Sequence, residues 1–236
     1  MRVVRLFIST FFIFLIILNK AFVGVAMNTD FTTDVLNKNE TEEICDHVNI
    51  SIIKAEPPKK SISCFSVNAD GKIAIGCSNS ADKSVCIYST DGTFQYGYKF
   101  SCNGSFGIEL HGNVLNIYFV RGNIALSVND SGEVVEARRI RNSIENNSYW
   151  DKHIFCKRQK VGDTEYVIKN DMGILNLIAV SYSQLAVIDS NGNENIIYDV
   201  NSMQLLRIII SIICVFTFVC IIVTVVIRQI VKSCHG

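Results

Sequence analysis

Residues 71–100 read GKIAIGCSNSADKSVCIYSTDGTFQYGYKF, and this stretch decides the fold. β-Branched and aromatic residues crowd both sides of Asp91-Gly92, the signature of two strands joined by a tight turn. Asp70-Gly71 just ahead of it and Ala81-Asp82 within it supply two further reversals. The expected product is one antiparallel four-stranded sheet, with strands near 63–67, 72–77, 85–89 and 93–100.

The phrase returns further along. Glycines in turn context stand at Gly71, Gly92, Gly112, Gly132, Gly173 and Gly192, spaced by about twenty residues with one gap doubled. Gly71-Lys72-Ile73, Gly112-Asn113-Val114 and Gly173-Ile174-Leu175 each open an apolar run; the runs at Ile87, Leu126 and Val187 each lead into the next turn glycine. Two more sheets are therefore expected, over 104–140 and 164–200, with no helix between 72 and 200. Consecutive sheets should pack face to face, because a run such as Leu115-Asn116-Ile117-Tyr118-Phe119-Val120 is too apolar to leave one side in water. Asp70, Asp91, Asp130 and Asp189 stand ahead of turn glycines and read as turn caps rather than as acids or calcium ligands.

A unit of about forty residues and four short strands resembles a blade of the NHL-like or six-bladed β-propellers, over residues 61–200. The resemblance implies an all-β ectodomain of about three propeller-like blades, a partial or open propeller. The chain departs from the family in number, since closed propellers have four to eight blades. The open edges would then need cover from a leader strand or from a second copy of the chain, as a homodimer.

Ile208 to Ile227 carry no charged side chain, and twenty residues at helical rise match a ~30 Å hydrocarbon core. A transmembrane α-helix is expected over 207–228, holding the chain in the lipid bilayer, with a short cytoplasmic tail at 229–236. Arg2 and Arg5 followed by the apolar run from Leu6 to Leu18 read as a signal peptide over 1–26, or alternatively as an N-terminal anchor helix. Both place residues 27–206 outside the cytoplasm, and the basic residues at Arg228 and Lys232 agree. The expected location is the plasma membrane, single-pass, ectodomain outside. Residues 27–60 form a polar leader with one strand at 47–53, ended by Pro57-Pro58; 61–206 is the β-domain.

The balance of 22 basic against 22 acidic residues excludes a nucleic-acid surface. Six cysteines fall in 27–206. Period-two parity puts Cys64, Cys77 and Cys86 on one sheet face with Cys77 almost opposite Cys86, so these two either form a disulfide or stay reduced as small core residues. No Cys/His spacing fits a metal and no cofactor is implied. The four histidines are scattered, no nucleophile motif is present, and catalysis is not supported.

The most functional-looking stretch is 141–161, an insertion ahead of the third unit. Tyr149, Trp150, His153, Phe155, Lys157 and Arg158 lie close together there. Exposed aromatics flanked by charge suit a binding surface; the alternative is an elongated hairpin that packs its aromatics on the core. The leading expectation is a membrane protein whose ectodomain recognises a protein or an extracytoplasmic ligand. A structural subunit of a larger membrane complex comes second, and an exported hydrolase on a propeller-like scaffold third.

Overall fold

The computed structural model describes residues 27–234, and the signal-peptide expectation for 1–26 lies outside the described residues. Three antiparallel sheets are stacked beside a long C-terminal helix. Sheet 1 runs through β3 (Ile62–Val67), β4 (Ile73–Asn79), β5 (Asp82–Tyr88) and β6 (Phe94–Ser101) in chain order. Sheet 2 does the same with β7 (Phe106–His111), β8 (Val114–Phe119), β9 (Ile124–Val128) and β10 (Val134–Ile140). Sheet 3 holds β11 (Arg158–Val161), β12 (Thr164–Lys169), β13 (Gln184–Ile188) and β14 (Glu194–Asp199).

Turn chemistry sets this register. Gly92, Gly132 and Gly192 hold φ of 82°, 80° and 82°, and each amide donates 3.0 Å to the carbonyl three residues back. Left-handed backbone at that place favours glycine, since a Cβ would meet its own carbonyl. The capping oxygen is not always the aspartate. Asn68 Oδ1 accepts from the amides of Asp70 and Lys72, and Asn129 Oδ1 from those of Ser131 and Glu133. Asp70 and Asp130 are thus passengers in turns held by the asparagine before them; Asp189 and Asp91 do accept turn amides. Gly132 carries a second constraint, since a Cβ there would lie 2.8 Å from Ile52 Cγ1. Gly132→Val should lower the unfolding free energy by roughly 1–3 kcal/mol, whereas Asp130→Asn should leave the denaturation midpoint unmoved.

The leader does more than one strand's work. Asn37 caps a helix, α1 (Lys38–Val48), its side chain accepting from the Glu40 amide while the Glu40 carboxylate reaches back to the Asn37 amide. Asn49, at φ 48°, ends it. The strand expected at 47–53 is therefore shortened to β2 (Ser51–Ile53), which adds to the outer edge of sheet 1 through β6. Ahead of the helix β1 (Thr33–Val35) adds to the outer edge of sheet 2 through β10. One strap of chain thus blunts both outer edges, as unpaired strands require.

Sheet 1 lies in the middle of the stack. One of its faces gives Ala74, Val85, Ile87, Tyr98 and Phe100 to a core shared with Phe106, Ile108, Leu115 and Ile117 of sheet 2. The other gives Phe65, Ile73, Ile75 and Tyr88 to a core shared with Tyr166, Ile168, Leu185 and Tyr198 of sheet 3. That explains why β4 reads as an unbroken apolar run: both its faces are buried. The expectation that consecutive sheets pack together holds for sheets 1 and 2 and fails for sheets 2 and 3. The outer face of sheet 2 is covered instead by Met27, Phe31, Trp150 and Ile154.

Other expectations need correction. Residues 72–200 are not helix-free: α2 (Ile144–Tyr149), a π-helical turn (Trp150–Ile154) and a 3₁₀ turn (Gly173–Ile178) lie within them. Gly173 opens that 3₁₀ turn and not a strand; the hairpin glycine of sheet 3 is Gly162, at φ 59° between β11 and β12. The third sheet consequently starts at Arg158, inside the segment read as an insertion. A register shift between Ile62 and Cys64 turns Cys64 to the sheet 2 side, away from Cys77 and Cys86. Cys77 faces Ser84 and Cys86 faces Ile75, so the two are diagonal neighbours, about 7–8 Å apart and too far to bridge. Both thiols are free, and burial pushes them up to about 11 and about 12.

Helix α3 (Asn201–Cys234) begins six residues before the expected position, one residue after β14 ends. Its stretch Asn201–Gln229 is long and apolar enough to cross a membrane; the most apolar 18 residues within it have a mean hydropathy of 3.2, and none of them is buried. Within the uncharged run Ser211, Thr217 and Thr224 donate their hydroxyls to the carbonyls of Arg207, Ile213 and Cys220, as an apolar surrounding requires.

Candidate functional site

The opening strands of the three four-stranded meanders line one polar cleft of about 430 Å³, between β3, β7, the π-helical turn and β11. Gln159 of β11 fastens two walls together. Its side-chain oxygen accepts from the Val67 amide at 2.8 Å and its NH2 donates to the Phe65 carbonyl. Ser66 does the same between β3 and β7, accepting from the Leu110 amide at 3.0 Å.

Strand parity builds the floor. In Phe106-Gly107-Ile108-Glu109-Leu110-His111 the even positions face sheet 1, which leaves Glu109 and His111 on the opposite face. Glu109 pairs with Asn116 across β8, and Asn116 with Ser127 across β9, so one polar row crosses sheet 2. Ser127 donates to Asn116 Oδ1 at 2.6 Å, and Asn116 donates to the Asn28 carbonyl. Tyr118 and Tyr149 both donate their hydroxyls to the Glu109 carboxylate. His111 Nε2 lies 3.7 Å from Glu109 Oε2.

Burial pushes the Glu109 carboxyl up, but the nearby His111 ring and the hydrogen bonds from Tyr118 and Tyr149 together outweigh it and hold the group below its ordinary range. Burial and the adjacent carboxylate push both tyrosines far above theirs. Glu109 is therefore a fixed anion with its lone pairs in use, a poor general base and a good internal anchor.

The rim is cationic. Lys152, His153, Arg158 and Lys160 surround the mouth. Arg158 is held by Glu165 at 3.1 Å, while Lys152 and Lys160 make no ion pair among the described residues. Cys156 also lines the cleft; its thiol donates to the His153 carbonyl and not to a ring nitrogen, so it lacks the base an activated nucleophile needs. Among the described residues no cluster of His, Cys, Asp or Glu could hold a metal.

The six residues read from sequence as a surface are divided by the fold. Trp150 is buried against Phe31 and Tyr118, and Tyr149 packs on Phe31 with its hydroxyl on Glu109. These two serve the core, in a helical turn rather than in the elongated hairpin. His153 stacks on Tyr149 at 4.8 Å and is exposed at the cleft. Phe155 stacks on Trp150 from outside, Lys157 lies over the Tyr182 ring, and Arg158 reaches Glu165. Only His153 and Arg158 of the six line the cleft. Glu109, Tyr118 and Lys152 were missed. The signal for the first two was there, since Glu109 and Tyr118 sit on the same parity as the half-polar row of two otherwise apolar strands.

No protein-family model matches this chain, and no curated protein matches it.

Proposed function

We propose that this chain is a single-pass plasma-membrane protein that displays an extracytoplasmic β-propeller-like domain of three blades for ligand recognition. On this reading residues 1–26 are the signal peptide, α3 crosses the bilayer and the C-terminus is cytoplasmic. The convergence of β3, β7 and β11, each the opening strand of a four-stranded meander, on one cleft supports the blade-like reading.

The observation that carries the function is the pair of ammonium groups, Lys152 and Lys160, without an ion-pair partner among the described residues, over a cleft with a hydrogen-bonded floor. Cations without partners, beside a pre-formed polar pocket, favour a small anionic ligand or an acidic group on a partner protein. The domain acts as a binder and not as an enzyme, because its buried acid is fully engaged. Should two copies associate edge to edge, β14 is the strand they would share, since the strap occupies the outer edges of the other two sheets. The alternative, an accessory subunit of a larger membrane complex, would use the same helix and leave the cleft idle.

Heat unfolding of the full chain in micelles should shift upward with at least one of phosphate, sulfate, citrate or an acidic sugar. The shift should vanish in Lys152→Ala/Lys160→Ala, whose own midpoint matches the parent. A double variant that responds like the parent would sink the cleft reading. For topology, a tag after Gly236 should resist external protease on intact cells, and one in the turn at Asn191 should be cut; the reverse pattern would overturn the assignment.

A further inference from the structure

One part of the domain is apolar and uncovered. The 3₁₀ turn Gly173–Ile178 buries none of its residues. Ile174 is 83% exposed, Leu177 86% and, just beyond, Val180 102%. Side chains of this kind cluster on a soluble surface only when something else covers them.

The turn is held in place and does not flap. Asn201, at the first turn of α3, donates to the Asp171 carbonyl at 2.6 Å, and Gln204 donates to the Ser181 carbonyl at 2.9 Å. Asn176 accepts from the Met172 amide, and Asn170 accepts from the Ser183 amide at 2.7 Å. Asn201 and Gln204 thus bind both ends of the apolar segment to the root of the helix, while Asn176 and Asn170 brace the segment itself. Between that turn and the helix flank runs a groove of about 760 Å³. Its lower wall is Ile208, Ile212 and Val215 of the helix; Lys60 and Arg207 stand at its polar end. Gln204, 5% exposed, lines the groove with a side-chain oxygen that has no donor among the described residues.

We propose that 173–180 is a second membrane contact: the apolar turn enters the interfacial layer of the outer leaflet beside α3, and the groove takes a phospholipid head and the start of its chain. The inference rests on α3 crossing the bilayer and goes beyond that reading. Three features select lipid as the occupant. Ile178 and Val180 share the wall of the groove with Ile208 and Ile212 of the helix. The turn sits level with Gln204, where the apolar run of the helix is about to begin. Lys60 and Arg207 supply cations at the height of the phosphates, and the bare Gln204 oxygen accepts from an ethanolamine or glycerol head.

The test uses the full chain reconstituted in vesicles of phosphatidylethanolamine and phosphatidylglycerol, doped with brominated phospholipid. Leu177→Trp adds an exposed reporter to the parent's single buried Trp150. Its added emission should be blue-shifted and largely quenched, more by bromine near the head end of the acyl chain than by bromine near the methyl end. Val215→Trp, in the helix, should be quenched by both. If Val215→Trp is quenched and Leu177→Trp is not, the helix spans but the turn stays in water, and the proposal falls alone. If neither is quenched, the spanning reading falls and takes the proposal with it. Cross-linking of Leu177→Cys between two copies, with no quenching of Leu177→Trp, would assign the patch to a second copy and overturn the lipid assignment.

Discussion

Phe106→Ala is expected to remove about 3–5 kcal/mol from the unfolding free energy, the usual result of emptying a buried phenyl site. Phe106 is 2% exposed and joins sheets 1 and 2. Its ring meets Phe100 edge-on at 5.2 Å and lies over Gly76, where even a Cβ would come within 3.0 Å of it. Gly76 has no side chain to fill the void left by the substitution. Set against a total stability of roughly 5–15 kcal/mol for a domain, the loss leaves little margin at body temperature. Denaturant unfolding of the full chain in micelles measures it. A loss below about 1 kcal/mol would mean that the two sheets do not meet at this ring.

Glu109→Ala should cost about 1–3 kcal/mol, because it removes the carboxylate to which the buried Tyr118 and half-buried Tyr149 hydroxyls donate. It should also add a signature in pH. The folded Glu109 carboxyl titrates below its unfolded value, so its contribution is fully present above the ordinary range near ~4.3 and is lost as pH falls through the lower folded value. Other carboxylates held low, such as Asp34 and Asp189, give acid sensitivity of their own. The difference between parent and variant isolates Glu109: it should be constant above about pH 5 and shrink as the solution is acidified further. A difference that grows on acidification would show that Glu109 is protonated in the folded protein.

Much of the fold could be read from local chemistry. Glycines at positive φ mark hairpin turns at any burial, so Gly71, Gly92, Gly112, Gly132 and Gly192 fix five reversals from sequence. The long apolar helix is as plain, being a matter of length and charge. Elsewhere two signals of equal strength compete. Gly162 and Gly173 both stand in turn context, and only tertiary packing decides which joins strands. The Asn37/Glu40 cap of α1 was legible but hidden in a polar segment whose hydrophobic face is narrow, with Val48 its one buried residue. The shift at Ile62/Cys64 reverses parity for one strand, and nothing local announces it. The cleft was the least visible feature, because it exists only once β3, β7 and β11 converge. Tyr149 and Trp150 show the ambiguity at one place: adjacent aromatics beside charge look like a binding surface, yet they bury themselves as soon as Phe31 from the leader is brought over them.

The strap of β1, α1 and β2 imposes a schedule on biosynthesis. Ile52 meets Tyr98 as soon as sheet 1 has emerged, but Thr33 must wait for Ile140. A nascent chain therefore completes its middle layer first, with both broad faces still bare, and trails an unmated N-terminal thread until sheet 2 arrives. Sheet 3, which covers the second bare face, ends one residue before the apolar helix. The layer next to that helix is thus the last to form. Lesions in sheet 3 should leave the second face of the middle layer bare beside a finished helix, whereas lesions in sheet 1 should act before sheet 3 or the helix has been made.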